Sequence, residues 1–440
     1  MNAYTTEEIG KRKLQFSADK CVRIHVKAKN GVEEKECEQI SIEGWKEETY
    51  EEDSKLKQRD IHTGETEIKT VDHHLYLGDI VESNCSNKKN VLARAAKGQG
   101  VVRDIIQILE GTFFGSFYFE AMKLMREAML MSVITNNLEV SFNLTPKDIK
   151  VLNDLDTQLI RSCLLLGAKA SQCLMFLELG LVPVSFLIKK KRILYLFHLL
   201  TTDKSSLVSL VFQQQVKSAQ KTNWVNTVIK DLKDFYINMS FTQIAQSNKM
   251  KFKALVKQSC EKAAFLSLLK QKESLSKGKN LEYNCFEIQP YFKPESNLSL
   301  ETMRRIYSVK CREIPVKANF TSAYKDATCP FTDCTALDTQ KHLFDSSCFS
   351  NDNQLIQYNT QYEDIFGTDI QAQVKVIKIF FSRLQIRNKF LTLTGQGIPA
   401  DPSTRTTVPP RLGIQKAKSK NNKTKIKKKS STRLKALQST

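Results

Sequence analysis

Between residues 88 and 391 apolar positions recur every three or four residues, which predicts a succession of amphipathic helices. Val101, Ile105, Ile108 and Leu109 make the first stripe, with Arg94, Lys97 and Arg103 assigned to the outward face. Tyr118 to Ile134 carries Met122, Met125, Met129 and Met131, whose helical spacing reads as packed core rather than a pliable groove. Thr145-Pro146-Lys147-Asp148 predicts a helix start, with Thr as N-cap, Pro at the first helical position and Asp in the first turn. Ile149, Leu152, Leu155, Leu159 and Ile160 then line one side, leaving Asp148, Asp154 and Asp156 for the polar face. Amphipathic helices continue over Trp224 to Ile237 and Lys249 to Leu269, and Ser240 followed by Gln243 matches a capping box. In the last helix, Gln371 to Leu391, Val374, Ile377 and Phe381 are expected inward, and Lys375, Lys378 and Arg383 outward.

The N-terminal part has a different rhythm. Val22-Arg23-Ile24-His25-Val26 and Gln39-Ile40-Ser41-Ile42 alternate as half-buried strands do. Leu75 to Val81 suits a short strand that turns sharply at Gly78, a residue free to adopt positive φ. Glu, Asp, Lys and Thr dominate from Trp45 to Thr70, and that stretch reads as a solvated insertion. The expected fold class is therefore mainly α with a small α+β N-terminal part. Leu275 to Leu298, broken by Ser276, Gly278, Pro290 and Pro294, reads as a linker. Beyond Gly395 a Pro-, Thr- and Ser-rich segment leads into a basic tail with the composition of a disordered segment.

Charge narrows the partners. A formal net charge of +20 favours a polyanion, because Lys and Arg gain affinity by releasing counterions from phosphate. The charge is uneven: Glu33 to Asp53 is acidic, whereas the last 25 residues contain no Asp or Glu. The most apolar window, Cys173 to Ile188, is interrupted by Glu178, Gly180 and Pro183, so it reads as core and not as a membrane span. Glu178 there needs a partner if buried, and a basic residue of the following helix is the expected one. The start has no apolar signal region. Eleven cysteines, an odd number without paired rhythm, suit a reducing nuclear or cytoplasmic compartment.

One donor set stands out. Cys329, Cys334, His342 and Cys348 are spaced C-x4-C-x7-H-x5-C, two thiolates closely followed by His and Cys, the ligand types of a closed tetrahedral zinc site. The same side chains would also suit a small reduced core. A closed four-ligand site leaves no position for catalysis, so its expected role is structural. Lys189, Lys190, Lys191 and Arg192 are the strongest internal basic cluster and the expected nucleic-acid contact, weighed against a plain solvated face.

Order and spacing bring these pieces together. Lys13-Leu14-Gln15-Phe16-Ser17-Ala18-Asp19-Lys20-Cys21, then Tyr76-Leu77-Gly78-Asp79-Ile80, then basic helices, resembles the end of a reverse transcriptase palm from a non-LTR retrotransposon. Phe176-Leu177-Glu178-Leu179-Gly180-Leu181-Val182-Pro183 with the following basic helix resembles the post-thumb linker of those proteins. The Cys/His spacing resembles their Cys-Cys-His-Cys knuckle, with a wider first gap. The resemblance spans residues 11 to 350. It implies a partial palm over 1–87, a helical thumb over 88–144 and a post-thumb linker over 145–298. A knuckle with a C-terminal helix would then occupy 299–394, and a disordered basic tail 395–440.

On this resemblance Lys20 is the lysine of motif D, and Tyr76, Leu77 and Gly78 belong to the primer grip. Arg94, Lys97 and Lys123 are the thumb's expected phosphate contacts. RNA and DNA are the expected partners, with zinc structural and Mg²⁺ confined to a full-length polymerase. The chain contains no Asp-Asp pair to bridge two such ions, and Asp19 and Asp79 do not replace it. The expected function is that of a polymerase fragment contributing primer-template binding, with the upstream palm and fingers missing. Two alternatives stay open: a non-catalytic nucleic-acid-binding derivative, and a helical protein-interaction scaffold.

Overall fold

The computed structural model describes Val22–Arg23 and, with interruptions, residues 41–394, the longest internal gaps being 321–326 and 349–359; side chains are described from residue 71 onward. The protein is mainly helical, and its regular strands lie in the N-terminal part. The predicted strand at 22–26 is described only as β1 (Val22–Arg23), which pairs in parallel with β4 (Lys69–Thr70). The stretch read as a solvated insertion is a ribbon. β2 (Ser41–Glu52) and β3 (Lys55–Glu67) pair antiparallel, with a register irregularity at Gly44/Trp45. Such a ribbon satisfies backbone N–H and C=O groups across the pair, so it forms without the hydrophobic alternation that a half-buried strand needs.

β5 (His73–Tyr76) and β6 (Asp79–Glu82) make a hairpin in which Tyr76 pairs with Asp79, consistent with the sharp turn. Asp79 holds the hairpin to the helices. It accepts from Arg94 through one carboxylate oxygen and from Asn137 Nδ2 at 2.7 Å through the other. Arg94, expected outward, is thereby buried, and its Nη1 also donates to the Val133 carbonyl at 3.2 Å.

α1 (Lys88–Thr112) packs along α4 (Pro146–Leu164). Between them run α2 (Tyr118–Met125), a single π turn at Arg126–Leu130, and α3 (Met131–Ile134). Met122 and Met131 are buried, and Met125 and Met129 pack against the same core, as the spacing predicts. The π turn carries Arg126, which is 1% exposed. Its guanidinium grips Asp156 with two bonds of 2.6 Å, donates to the Val182 carbonyl at 2.8 Å, and lies over the Phe176 ring. Asp156 is fully buried and so does not belong to the polar face. Asp148 is also buried, engaged with Thr145 in the capping box, while Asp154 alone of the three is exposed.

α5 (Gln172–Leu179) ends at Gly180, whose φ of +59° and backbone contact with Glu287 leave no room for a Cβ. α6 (Val184–Thr201) then leaves the main core for a second one. There it packs with α7 (Leu207–Lys217), α8 (Trp224–Asp234), the capping-box helix α9 (Phe241–Gln246) and α10 (Lys249–Glu273). Stacked Phe186–Phe235 and Phe197–Phe252 pairs tie α6 to α8 and α10. No single helix among the described residues is long and apolar enough to cross a membrane. The one pair that passes such a test together, α5 and α6, is bent by 61°.

The stretch read as a linker is a strap lying on the core. Short 3₁₀ turns at Pro290–Phe292 and Pro294–Ser296 bury Tyr291 and Phe292, and Tyr283 is buried upstream. The main core runs from Val91 on α1 through this strap to Leu384, crossing residues 144 and 298 without a break. α11 (Leu300–Lys310) and α13 (Ile370–Leu393) pack together on its far side. On α13 the inward face is centred on Val376, Ile379 and Phe380 and extends to Ile377 and Leu384. Arg383, expected outward, is 1% exposed, while Lys375 and Lys378 do point to solvent.

Candidate metal centre

A short hairpin, a one-turn helix and a residue beyond it bring four donors together. Cys329 donates its N–H to the Ala336 carbonyl at 2.8 Å, beside an antiparallel bridge between Thr328 and Leu337, and the Cys334 N–H closes the turn onto Phe331 at 3.1 Å. Thr339 caps α12 (Gln340–Asp345) by accepting from the His342 N–H at 3.0 Å, which sets His342 in the first turn facing the hairpin. Cys348 lies three residues beyond the end of α12. The ligand atoms of Cys329, Cys334, His342 and Cys348 all lie within 4.8 Å of one another.

The separations suit a metal. His342 Nε2 is 3.3 Å from Cys334 Sγ and 3.9 Å from Cys348 Sγ. Zinc bonds of about 2.3 Å to sulfur and 2.0–2.1 Å to nitrogen put tetrahedral donors about 3.5–3.8 Å apart. The thiols are not equivalent. Burial pushes Cys329 up to about 12, while the N–H of Ala336 pulls the half-buried Cys334 below its ordinary value. The cluster can hold a metal ion, and three thiolates with one imidazole select a soft or borderline cation.

The scaffold behind the donors is apolar and ionic. Phe331 packs on Phe390 of α13, and Phe344 of α12 on Tyr362. Asp338, at the foot of the hairpin, is buried and paired with Arg387 of α13, whose Nε reaches its Oδ1 at 3.0 Å while Nη2 engages Oδ2. This pair was not among the sequence candidates. Its signal was a charge on the apolar side of a helix, with Arg383 and Arg387 one turn apart among Phe380, Leu384 and Leu391.

The other candidates are dispersed. Lys20, Leu77 and Gly78, and the side chain of Tyr76, lie outside the described residues. Lys97 is exposed on α1, whereas Arg94 is inside the fold. Lys123 is half-buried, its Nζ 3.5 Å from the Gly180 carbonyl. In the 189–192 cluster, Lys189 pairs with Asp234 and Arg192 with Asp231. Lys191 reaches the Thr135 carbonyl at 3.3 Å, and burial lowers its ammonium below the ordinary value. Lys190 is half-buried beside them. The cluster therefore also staples α6 to α8 and to the turn after α3.

Glu178, expected to pair within the next helix, finds its partners far along the chain. Fully buried, it accepts from Tyr283 at 2.6 Å, from Tyr291, and from Lys310 of α11 at 3.2 Å. Continuously exposed basic surface lies instead on α10, where Lys249, Lys251, Lys253 and Lys257 all face solvent. No family model, curated protein or solved structure matches the chain.

Proposed function

We propose that this chain is a nucleic-acid-binding segment of a non-LTR retrotransposon reverse transcriptase, in which a zinc-stabilised module and basic helices hold RNA or DNA. The observation that carries this reading is the convergence of Cys329, Cys334, His342 and Cys348 in a protein of net charge +20. A closed Cys₃His set supplies stability and not reactivity, because every coordination position is taken by protein. The ion would fix the hairpin, α12 and residue 348 relative to one another, and Arg387 would hold that unit on α13. Phosphate binding would fall to Lys97 of α1 and to the exposed lysines of α10, for which no ion pair competes among the described residues. Polymerisation would require paired carboxylates supplied by an upstream palm, together with Mg²⁺.

Metal analysis and salt-dependent binding test the proposal together. The purified chain should carry one equivalent of zinc, lost in Cys334→Ser. It should bind single-stranded RNA with an affinity that falls steeply between 50 and 200 mM salt, by about 300-fold if six phosphates are contacted. Removing residues 414–440 should flatten that slope. A folded, metal-free chain would remove the zinc assignment, and salt-independent or absent RNA binding would leave the helical scaffold as the better reading.

A further inference from the structure

A cleft of about 440 Å³ opens between the start of α4, the first turns of α6 and the first half of α8. Its volume lies within the range of small-molecule sites and would admit one nucleotide but not a duplex. Its apolar lining is Leu144, Ile149 and Ile188. Its charged lining is three cations, Lys189, Arg192 and Lys230, and one carboxylate, Asp231. Arg192 is 4% exposed and held by Asp231 and by the Ser141 carbonyl at 2.9 Å, which leaves its buried Nε without a partner. Lys189 is shared with Asp234. Lys230 is exposed and has no ion-pair partner among the described residues.

One helix start reinforces this polarity. Ser185 is the second residue of α6, whose N-cap, Pro183, supplies no side-chain cap. The start of α8 is already capped, since the Asn223 side chain accepts from the Asn226 N–H and the Thr227 hydroxyl donates to the Asn223 carbonyl at 3.0 Å. Helix N-termini carry partial positive charge and favour anions, so the start of α6 and Lys230 line one cleft. Asp231 and Asp234 offset Arg192 and Lys189, which leaves Lys230 as the uncompensated charge. Apolar and cationic lining together in a cleft of this size match a planar base attached to a phosphate.

We propose that this cleft binds a nucleoside 5′-phosphate, with the base against Leu144, Ile149 and Ile188 and the phosphate toward Lys230 and the start of α6. The site draws on neither the metal centre nor the exposed lysines of α10. Absence of nucleotide binding in a chain that binds RNA normally would therefore remove the cleft alone.

Titration of the full chain with AMP, adenosine, inorganic phosphate and a dinucleotide with or without a 5′-phosphate tests the site. AMP should bind saturably at one site and at least ten-fold more tightly than adenosine or phosphate alone. Lys230→Glu should weaken AMP at least ten-fold. Lys233→Glu, the same charge reversal on α8 but off the cleft wall, should change it less than two-fold. If the 5′-phosphorylated dinucleotide binds as well as AMP, the cleft takes the end of a strand. If only AMP binds, it takes a free nucleotide. Equal binding of adenosine and AMP, no saturable binding, or an equal loss in Lys233→Glu would overturn the proposal.

Discussion

Replacing Glu178 with alanine tests how the strap and α11 are held to α5. The carboxylate is fully buried and accepts from Tyr283 and Tyr291 as well as from Lys310, which is itself only 4% exposed. Burial holds both phenols above their ordinary value of 10, with the Glu178 charge adding to the effect, so they remain donors at physiological pH. Lys310 also lies 5.4 Å from the Tyr291 ring centroid and 5.9 Å from that of Tyr283, a favourable but weaker setting for its charge. Removing the carboxylate strands a buried ammonium and two buried hydroxyls. Breaking a buried pair in this way costs about 3–5 kcal/mol, a large share of the roughly 5–15 kcal/mol that stabilises a typical protein.

Lys310→Met should cost less, about half as much, because the remaining carboxylate keeps two phenol donors and can take up a proton. Urea unfolding followed by far-UV circular dichroism gives both numbers. With a slope of about 3 kcal/mol/M, Glu178→Ala should move the midpoint down by about 1 M or more. Two variants of equal cost, or a Glu178→Ala midpoint within about 0.3 M of the parent, would show that the network is not buried as described.

Other outcomes follow from equally local features. Asp156→Ala should destabilise the chain by about 3–5 kcal/mol in the same urea assay, because Arg126 would lose its carboxylate partner while 1% exposed. Gly180→Ala should cost about 2 kcal/mol or more, since its Cβ would lie 2.6 Å from the Glu287 carbonyl carbon at a φ of +59°. Arg387→Met should lower zinc affinity about ten-fold or more in a chelator competition, by releasing Asp338 at the foot of the hairpin. Asp231 gives a pH signature. Burial raises its carboxyl above the ordinary 3.8 despite the opposing pull of Arg192. In the window between 3.8 and the raised folded value the native state holds the extra proton, so stability falls as pH rises and levels off above it. The stability difference between parent and Asp231→Asn should decline across that window, and a flat difference would contradict the assignment.

The helices and their starts were legible because their signals are local. Thr145 with Asp148 and Ser240 with Gln243 form the capping boxes that their spacing predicts, and the methionines of α2 and α3 fall on the core. The four metal donors were readable as chemistry, since soft ligands at short spacing have few other uses. The ribbon of β2 and β3 was not readable, because its regularity lies in pairing between strands and not in alternation within either one. The partners of buried charges escaped for a related reason. Periodicity assigns a charge outward by default, yet Arg126 meets Asp156 30 residues away and Glu178 meets Lys310 132 residues away. Asp156 did carry a local signal, one turn from Leu152 and Leu159, whereas for Glu178 the apolar window gave the burial and only the distant partners were out of reach.

The π turn at Arg126–Leu130 also sets how this region tolerates changes in length. A π turn accommodates one more residue than an α turn over the same rise, and here that residue lets Arg126 and the stripe of Leu130, Met131 and Ile134 face the core together. Deleting one residue between Met125 and Leu130 would restore an ordinary α-helix at that point. Because the π turn absorbs its extra residue, the flanking helices would keep roughly their present facing, and the change would fall on the turn itself. Arg126, which the turn places against Asp156, is the side chain such a deletion would re-aim. Loss of one residue is therefore better absorbed at this turn than in the α-helical segments on either side, where it would rotate the rest of the helix by about 100°.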